Sequence, residues 1–110
     1  KIPGPLDRRH LIEREIPADR ALAIADAYLA EDRTLEAVEF LAKAGARERL
    51  AELRGGAIAA GDLFMLRALA EAMQEPPERQ EWAALAAAAA AAGKHRYAAE
   101  AGRQAERGED

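Results

Sequence analysis

Apolar residues recur at intervals of three and four along most of this chain, in stretches broken by Gly, Asp or Pro. From Asp19 to Glu31 the recurring positions are Leu22, Ile24, Ala25, Tyr28 and Leu29, and from Thr34 to Ala44 they are Leu35, Val38, Leu41 and Ala42. This spacing predicts two helices, with Pro17 at the entry to the first, Thr34 as N-cap of the second and Gly45 as its stop. A second pair is expected over Arg47–Ala60 and Leu63–Gln74, divided by Gly61 as a stop and Asp62 as an N-cap and ended by Pro76 and Pro77. Gly55 and Gly56 allow a rival parse, in which they are the turn and a longer helix resumes at Ala57. The break at Gly61 is preferred because it matches the other pairs. A third pair is expected over Pro77–Ala92 and Lys94–Arg107 with Gly93 between. Ahead of them all, Leu6, His10, Leu11 and Arg14 lie at helical spacing, predicting a short amphipathic helix within Leu6–Ile16.

The three pairs share one frame. Asp32, Gly61 and Gly93 fall at the three turns, 29 and then 32 residues apart. Five positions beyond each turn stand Ala37, Leu66 and Ala98, and twelve beyond stand Ala44, Met73 and Ala105. Four before each turn stand Tyr28, Ala57 and Ala89, and eight before stand Ile24, Leu53 and Leu85. All are apolar, so the chain reads as a repeated helical hairpin with the domain plan 1–17 (N-terminal extension or capping helix), 18–45, 46–76 and 77–107 (hairpins) and 108–110 (disordered tail). Hairpins of this kind bury their apolar faces by stacking on their neighbours.

In the third hairpin, Trp82, Leu85, Ala86, Gly93, Ala98 and Ala105 match the signature of the tetratricopeptide repeat, and Leu53, Ala57, Gly61 and Ala70 follow it in the second. Tyr28, Ala37 and Ala44 follow it more weakly in the first. The chain thus resembles a tetratricopeptide-repeat array over about Ala18 to Arg107, with a HEAT-like array as the nearest alternative. The resemblance implies an all-α, right-handed superhelical array of about three antiparallel hairpins. It also implies a concave groove lined by the first helix of each hairpin, here Leu22, Asp26, Leu29, Ala51, Ile58, Ala83, Ala87 and Ala90. That lining is small, largely apolar and without a cation. An apolar helix or peptide segment is therefore the expected occupant, rather than a terminal carboxylate held by basic residues.

Composition narrows the chemistry. The chain has 110 residues, the size of one domain, and although half of them are apolar only 5 % are aromatic; alanine fills the difference. There is no Cys, Ser or Asn, which removes thiolate chemistry, disulfides and serine triads. His10 and His95 are far apart and belong to no ligand pair, so no metal and no cofactor are expected. Glu13 with Glu15, and Glu36 with Glu39, read as solvated helix faces, and no enzyme is expected. Arg8, Arg9, Arg14, Arg47, Arg49 and Arg54 are interleaved with Glu13, Glu15, Glu48 and Glu52, which reads as surface ion pairing. With a net charge of −4 and no aromatic platform beside them, nucleic acid is not expected as partner.

Trp82, Phe64, Met65 and Met73 are expected in the core or between repeats. No stretch reaches the ~20 apolar residues that span a bilayer, and no membrane contact is expected. The expected role is a protein-interaction module, with a self-associating structural domain or a non-catalytic regulatory part of a larger protein as alternatives. The alanine-rich C-terminal hairpin is a possible homo-oligomer contact. A cytoplasmic setting is expected, with the periplasm compatible. The start at Lys1 without methionine or signal pattern reads as a piece of a longer protein, and the preference for Ala and Arg as the coding bias of a GC-rich bacterial genome.

Overall fold

A computed structural model describes residues 2–107; the expected tail at 108–110 lies outside them. The described residues form seven helices and no strand: α1 (Pro5–Glu13), α2 (Ala18–Ala30), α3 (Thr34–Lys43), α4 (Arg47–Ala60), α5 (Leu63–Met73), α6 (Arg79–Ala91) and α7 (His95–Arg107). The fold is all-α, as the periodicity predicts. None of these helices is long and apolar enough to cross a membrane.

Five successive helices end in the same way, and the reason is local. The residue after the last turn takes a left-handed conformation, at Asp32 (φ 62°), Gly45 (φ 68°), Gly61 (φ 68°), Gln74 (φ 57°) and Gly93 (φ 78°). This turns the next N–H back onto the carbonyl five residues earlier: Arg33 onto Tyr28, Ala46 onto Leu41, Asp62 onto Ala57, Glu75 onto Ala70 and Lys94 onto Ala89, at 2.8–3.0 Å. The bond satisfies a helix-end carbonyl that water cannot reach, since all five acceptor residues are buried. Asp32 therefore does what a glycine does at the other two hairpin turns, because Asp is among the few side chains that enter the left-handed region at modest cost.

Thr34 is not the N-cap of α3. The turn closes at Arg33, which takes the cap position without a capping bond from its side chain, and Thr34 becomes the first helical residue. Asp62 does cap α5, its Oδ1 accepting the Met65 N–H at 3.1 Å. Gly55 and Gly56 stay inside α4, so the turn is at Gly61.

These glycines give opposite expectations. A Cβ at Gly61 would stand 2.6 Å from the backbone of Ala89 in α6, at a φ that side chains avoid. Gly61→Ala is expected to lower stability by about 2 kcal/mol, from left-handed strain and overpacking together. A Cβ at Gly56 meets nothing within 4 Å in an ordinary helical conformation. Gly56→Ala is expected to raise stability by about 0.5–1 kcal/mol. Thermal melts of the two variants check both signs.

The chain divides into two compact units between Leu50 and Ala51, inside α4. In the first unit α2 packs on α3, with Tyr28 stacked on Phe40 at 5.9 Å between ring centroids. Ala21, Ala25 and Ala37 are fully buried there, and their methyl groups let the two backbones approach. Helix α1 is held by the burial of Leu11 and by Arg8, whose guanidinium lies 5.5 Å from the centres of both the Tyr28 and Phe40 rings and donates to the Glu36 carbonyl at 2.8 Å. Leu6, expected on the apolar stripe of this helix, is 64 % exposed instead.

In the second unit α6 packs on α7, and Leu66, Leu69, Leu85, Ala89 and Ala101 are fully buried. Trp82 is buried as expected, with the Arg67 guanidinium of α5 over its ring at 5.6 Å. Phe64 corrects the expectation of a core residue. It is 59 % exposed, because α5 turns Leu63, Leu66, Leu69 and Ala70 inward and leaves Phe64 on the opposite face.

Candidate functional site

Helical spacing places the expected groove residues in sets. On α2, Leu22, Asp26 and Leu29 follow one another at i, i+4 and i+7, the two leucines half-buried and Asp26 exposed. Asp26 is not alone there: Arg49, at the start of α4, donates to its Oδ1 at 2.7 Å. This face of the first unit therefore carries a cation that the sequence reading did not expect. As an exposed pair the contact contributes at most about 1 kcal/mol.

In the second unit Ala51 and Ile58 of α4 line an open cleft of about 640 Å³, together with Gly55 between them. The lining also includes Met73, Gln74, Glu75, Pro76 and Glu78, with Gln80 and Glu81 at the start of α6. Ala83 lines a neighbouring hollow of about 420 Å³ that shares Glu78 and Gln80 with the cleft. Ala87 and Ala90 follow Ala83 at i+4 and i+7 and are exposed. The structure thus brings Ala51 and Ile58 into one concave site and sets Ala83 at its border.

Arg54 forms part of the cleft's lining and is the residue that sequence reading placed wrongly. It is only 7 % exposed, not a member of a solvated patch. Its Nε and Nη2 donate to the two carboxylate oxygens of Glu81 at 3.0 and 2.8 Å, and Nη1 donates to the Glu75 carbonyl at 3.0 Å. Such a two-pronged pair is both strong and directional. The hydrogen bonds from Arg54 hold the Glu81 carboxyl below the usual carboxylate range against the opposing effect of burial, and Glu81 in turn raises Arg54. Glu81 also accepts the Glu78 N–H at 2.9 Å, so one carboxylate joins α4 to the first turn of α6. A signal for this was present: Arg54 sits four residues after buried Leu50 and three before buried Ala57, on the inward stripe of α4.

Several other titratable candidates are tied into ion pairs across or along helices. Glu36 accepts from Arg33 at 3.1 Å and is held below the ordinary range by that bond. Glu100, the nearest carboxylate to His95 in sequence, instead accepts from Gln104, Arg103 and Arg67, which pull it down to about 2. Arg9 lies 3.7 Å from Glu13 along its own helix, and Arg8 lies 3.9 Å from Glu39 on α3. Among the described residues no three His, Asp or Glu side chains converge on a point where a metal would sit. No family model, curated protein or solved structure matches this chain.

Proposed function

We propose that this chain is a non-catalytic protein-interaction module, a right-handed array of tetratricopeptide-like hairpins that takes an apolar helix or peptide segment along the first helices of its hairpins. The observation that carries this reading is the cleft beside α4, where Ala51 and Gly55 leave an open concavity in which Ile58 and Met73 offer apolar surface, near the exposed alanines of α6. The small residues of α4 leave room for a partner segment, and burial of its apolar side chains against Ile58 and Met73 supplies the affinity. Glu36, Glu81 and Glu100 are each lowered by a hydrogen-bonded partner, so none of the three is a raised carboxyl of the kind that general-acid catalysis at neutral pH uses.

The test is retention of proteins from an extract of the source organism on the immobilised chain, washed at low and high salt. The expected result is one dominant protein that survives high salt and is reduced about tenfold or more by Ile58→Asp, since a carboxylate buried in an apolar contact has no partner there. Ile58 is half-buried, so circular dichroism of the variant must show an unchanged melting midpoint for the comparison to hold. Retention that is indifferent to Ile58→Asp and Leu29→Asp, or that consists of salt-labile nucleic acid, sinks the reading.

A further inference from the structure

Helix α1 is docked on the first hairpin through one buried side chain and one cation. Among its residues only Leu11 is buried, whereas Pro5, Leu6, Asp7, Arg9, His10 and Glu13 are exposed. A helix of nine residues does not hold together in water by itself, so α1 depends on being docked. Residues 14–17 join it to α2 without helical structure, and the Arg14 carbonyl there accepts an exposed bond from Lys43 Nζ at 3.0 Å.

What α1 docks on is a seat for a guanidinium. Arg8 lies over both rings of the Tyr28–Phe40 pair, its Nη2 donates to the Glu36 carbonyl at 2.8 Å, and its Nη1 stands 3.9 Å from Glu39. Two aromatic faces, a carbonyl and a carboxylate around one planar cation suit arginine better than lysine, whose compact ammonium does not stack and has no fork of donors. The docking is also incompletely compensated. Arg8 Nε and Tyr28 Oη are buried and find no hydrogen-bond partner among the described residues. Lifting α1 returns the first to water and uncovers the ring that carries the second, which offsets part of what Leu11 and the ring contact contribute. Tyr28 keeps a guanidinium when α1 leaves, because Arg33, at the entry to α3, lies 5.2 Å from the centre of its ring.

We infer that α1 is a releasable latch: it lifts as a unit while α2 and α3 stay paired, and uncovers a face that takes an arginine-bearing segment of a partner in place of Arg8. The latch and its seat lie wholly within the first unit, so failure of the cleft reading leaves them untouched.

Native-state hydrogen exchange of the full chain, followed by NMR, tests the release. The hydrogen-bonded amides of α1 are expected to be at least about tenfold less protected than those of α2 and α3, and to fall about tenfold further, alone, in Arg8→Ala, with Arg8→Lys between. Equal protection in the three helices, or a fall shared by all three, makes α1 part of one cooperative core and overturns the latch. The seat is tested with a peptide of residues 4–14, titrated to millimolar concentration into the full-length wild type and Arg8→Ala while the ring resonances of Tyr28 and Phe40 are followed. Those resonances are expected to shift in Arg8→Ala, to shift at least about threefold less in the wild type, where the chain's own helix competes, and to shift less with the Arg8→Lys peptide. No shift in Arg8→Ala, or shifts that the Arg8→Lys peptide reproduces in full, overturns the arginine seat.

Discussion

Trp82→Ala is expected to lower the free energy of unfolding by about 4 kcal/mol, the range of a large aromatic truncated in a core. The residue is 6 % exposed on α6, beside fully buried Leu85 and Ala89. In a unit whose other buried side chains include several alanines, a single indole supplies a large share of the apolar area removed from water. Collapse around the vacated volume is limited, because alanine methyl groups have no rotamers with which to refill it. The substitution also removes the ring under Arg67, a contact worth about 0.5–1 kcal/mol at a partly exposed site. Trp82→Phe is expected to recover most of the loss. Urea denaturation followed by far-ultraviolet circular dichroism measures both variants, and a loss below about 1 kcal/mol for Trp82→Ala would remove the indole from the core.

Glu81→Ala is expected to cost about 3 kcal/mol at pH 7, close to the loss from Trp82, although the side chain is smaller. The reason is what it leaves behind: Arg54, 7 % exposed, would keep its charge without the carboxylate that receives two of its donors. The bond to the Glu78 N–H at the start of α6 disappears as well. The pH dependence follows from the directions of the two shifts. The carboxyl of Glu81 is lowered in the native state, so its contribution is complete above the ordinary Glu value near ~4.3 and is lost as pH falls through the lowered native value. Arg54 is raised, and its contribution is constant throughout the acid range. The gap in stability between wild type and Glu81→Ala is therefore expected to be full at pH 7 and to shrink progressively below about pH 4. Unfolding midpoints collected from pH 7 down to about pH 2 check this, and a constant gap would show that the loss comes from packing rather than from the ionised pair.

The helices were legible because their signals are short-range. Leu63, Leu66, Leu69 and Ala70 fall on one stripe of α5, and Ile24, Ala25 and Tyr28 on one stripe of α2, as three- and four-residue spacing requires. Gly45, Gly61 and Gly93 mark helix ends because the left-handed position there favours a residue without Cβ. Gln74 ends α5 in the same conformation and gave no such signal. The candidate site was legible only in part. Ala51 and Ile58 line one cleft, but much of the rest of its lining comes from the connection between α5 and α6, a segment that periodicity reads only as a break.

Burial of polar groups was the least legible property. Arg54 lies in a run of alternating charges, Arg47, Glu48, Arg49, Glu52, and by composition it belongs with them. Its burial depends on Glu81, 27 positions later, and on the carbonyl of Glu75, 21 positions later. Arg49 likewise finds Asp26, 23 positions earlier, rather than a neighbour in its own helix. Phe64 shows the converse, a large apolar side chain left exposed because the inward stripe of α5 was already complete.

The sequence by itself determined the all-α class, the seven-helix order and the turns at Asp32, Gly61 and Gly93, because helix propensity, periodicity and left-handed turn positions act over five residues or fewer. Only the tertiary structure decided which arginine is buried, where the chain divides into units and which carboxylates wall the cleft. Those outcomes depend on desolvation and on partners many turns away, and a charged side chain looks the same in sequence whether it meets water or a carboxylate.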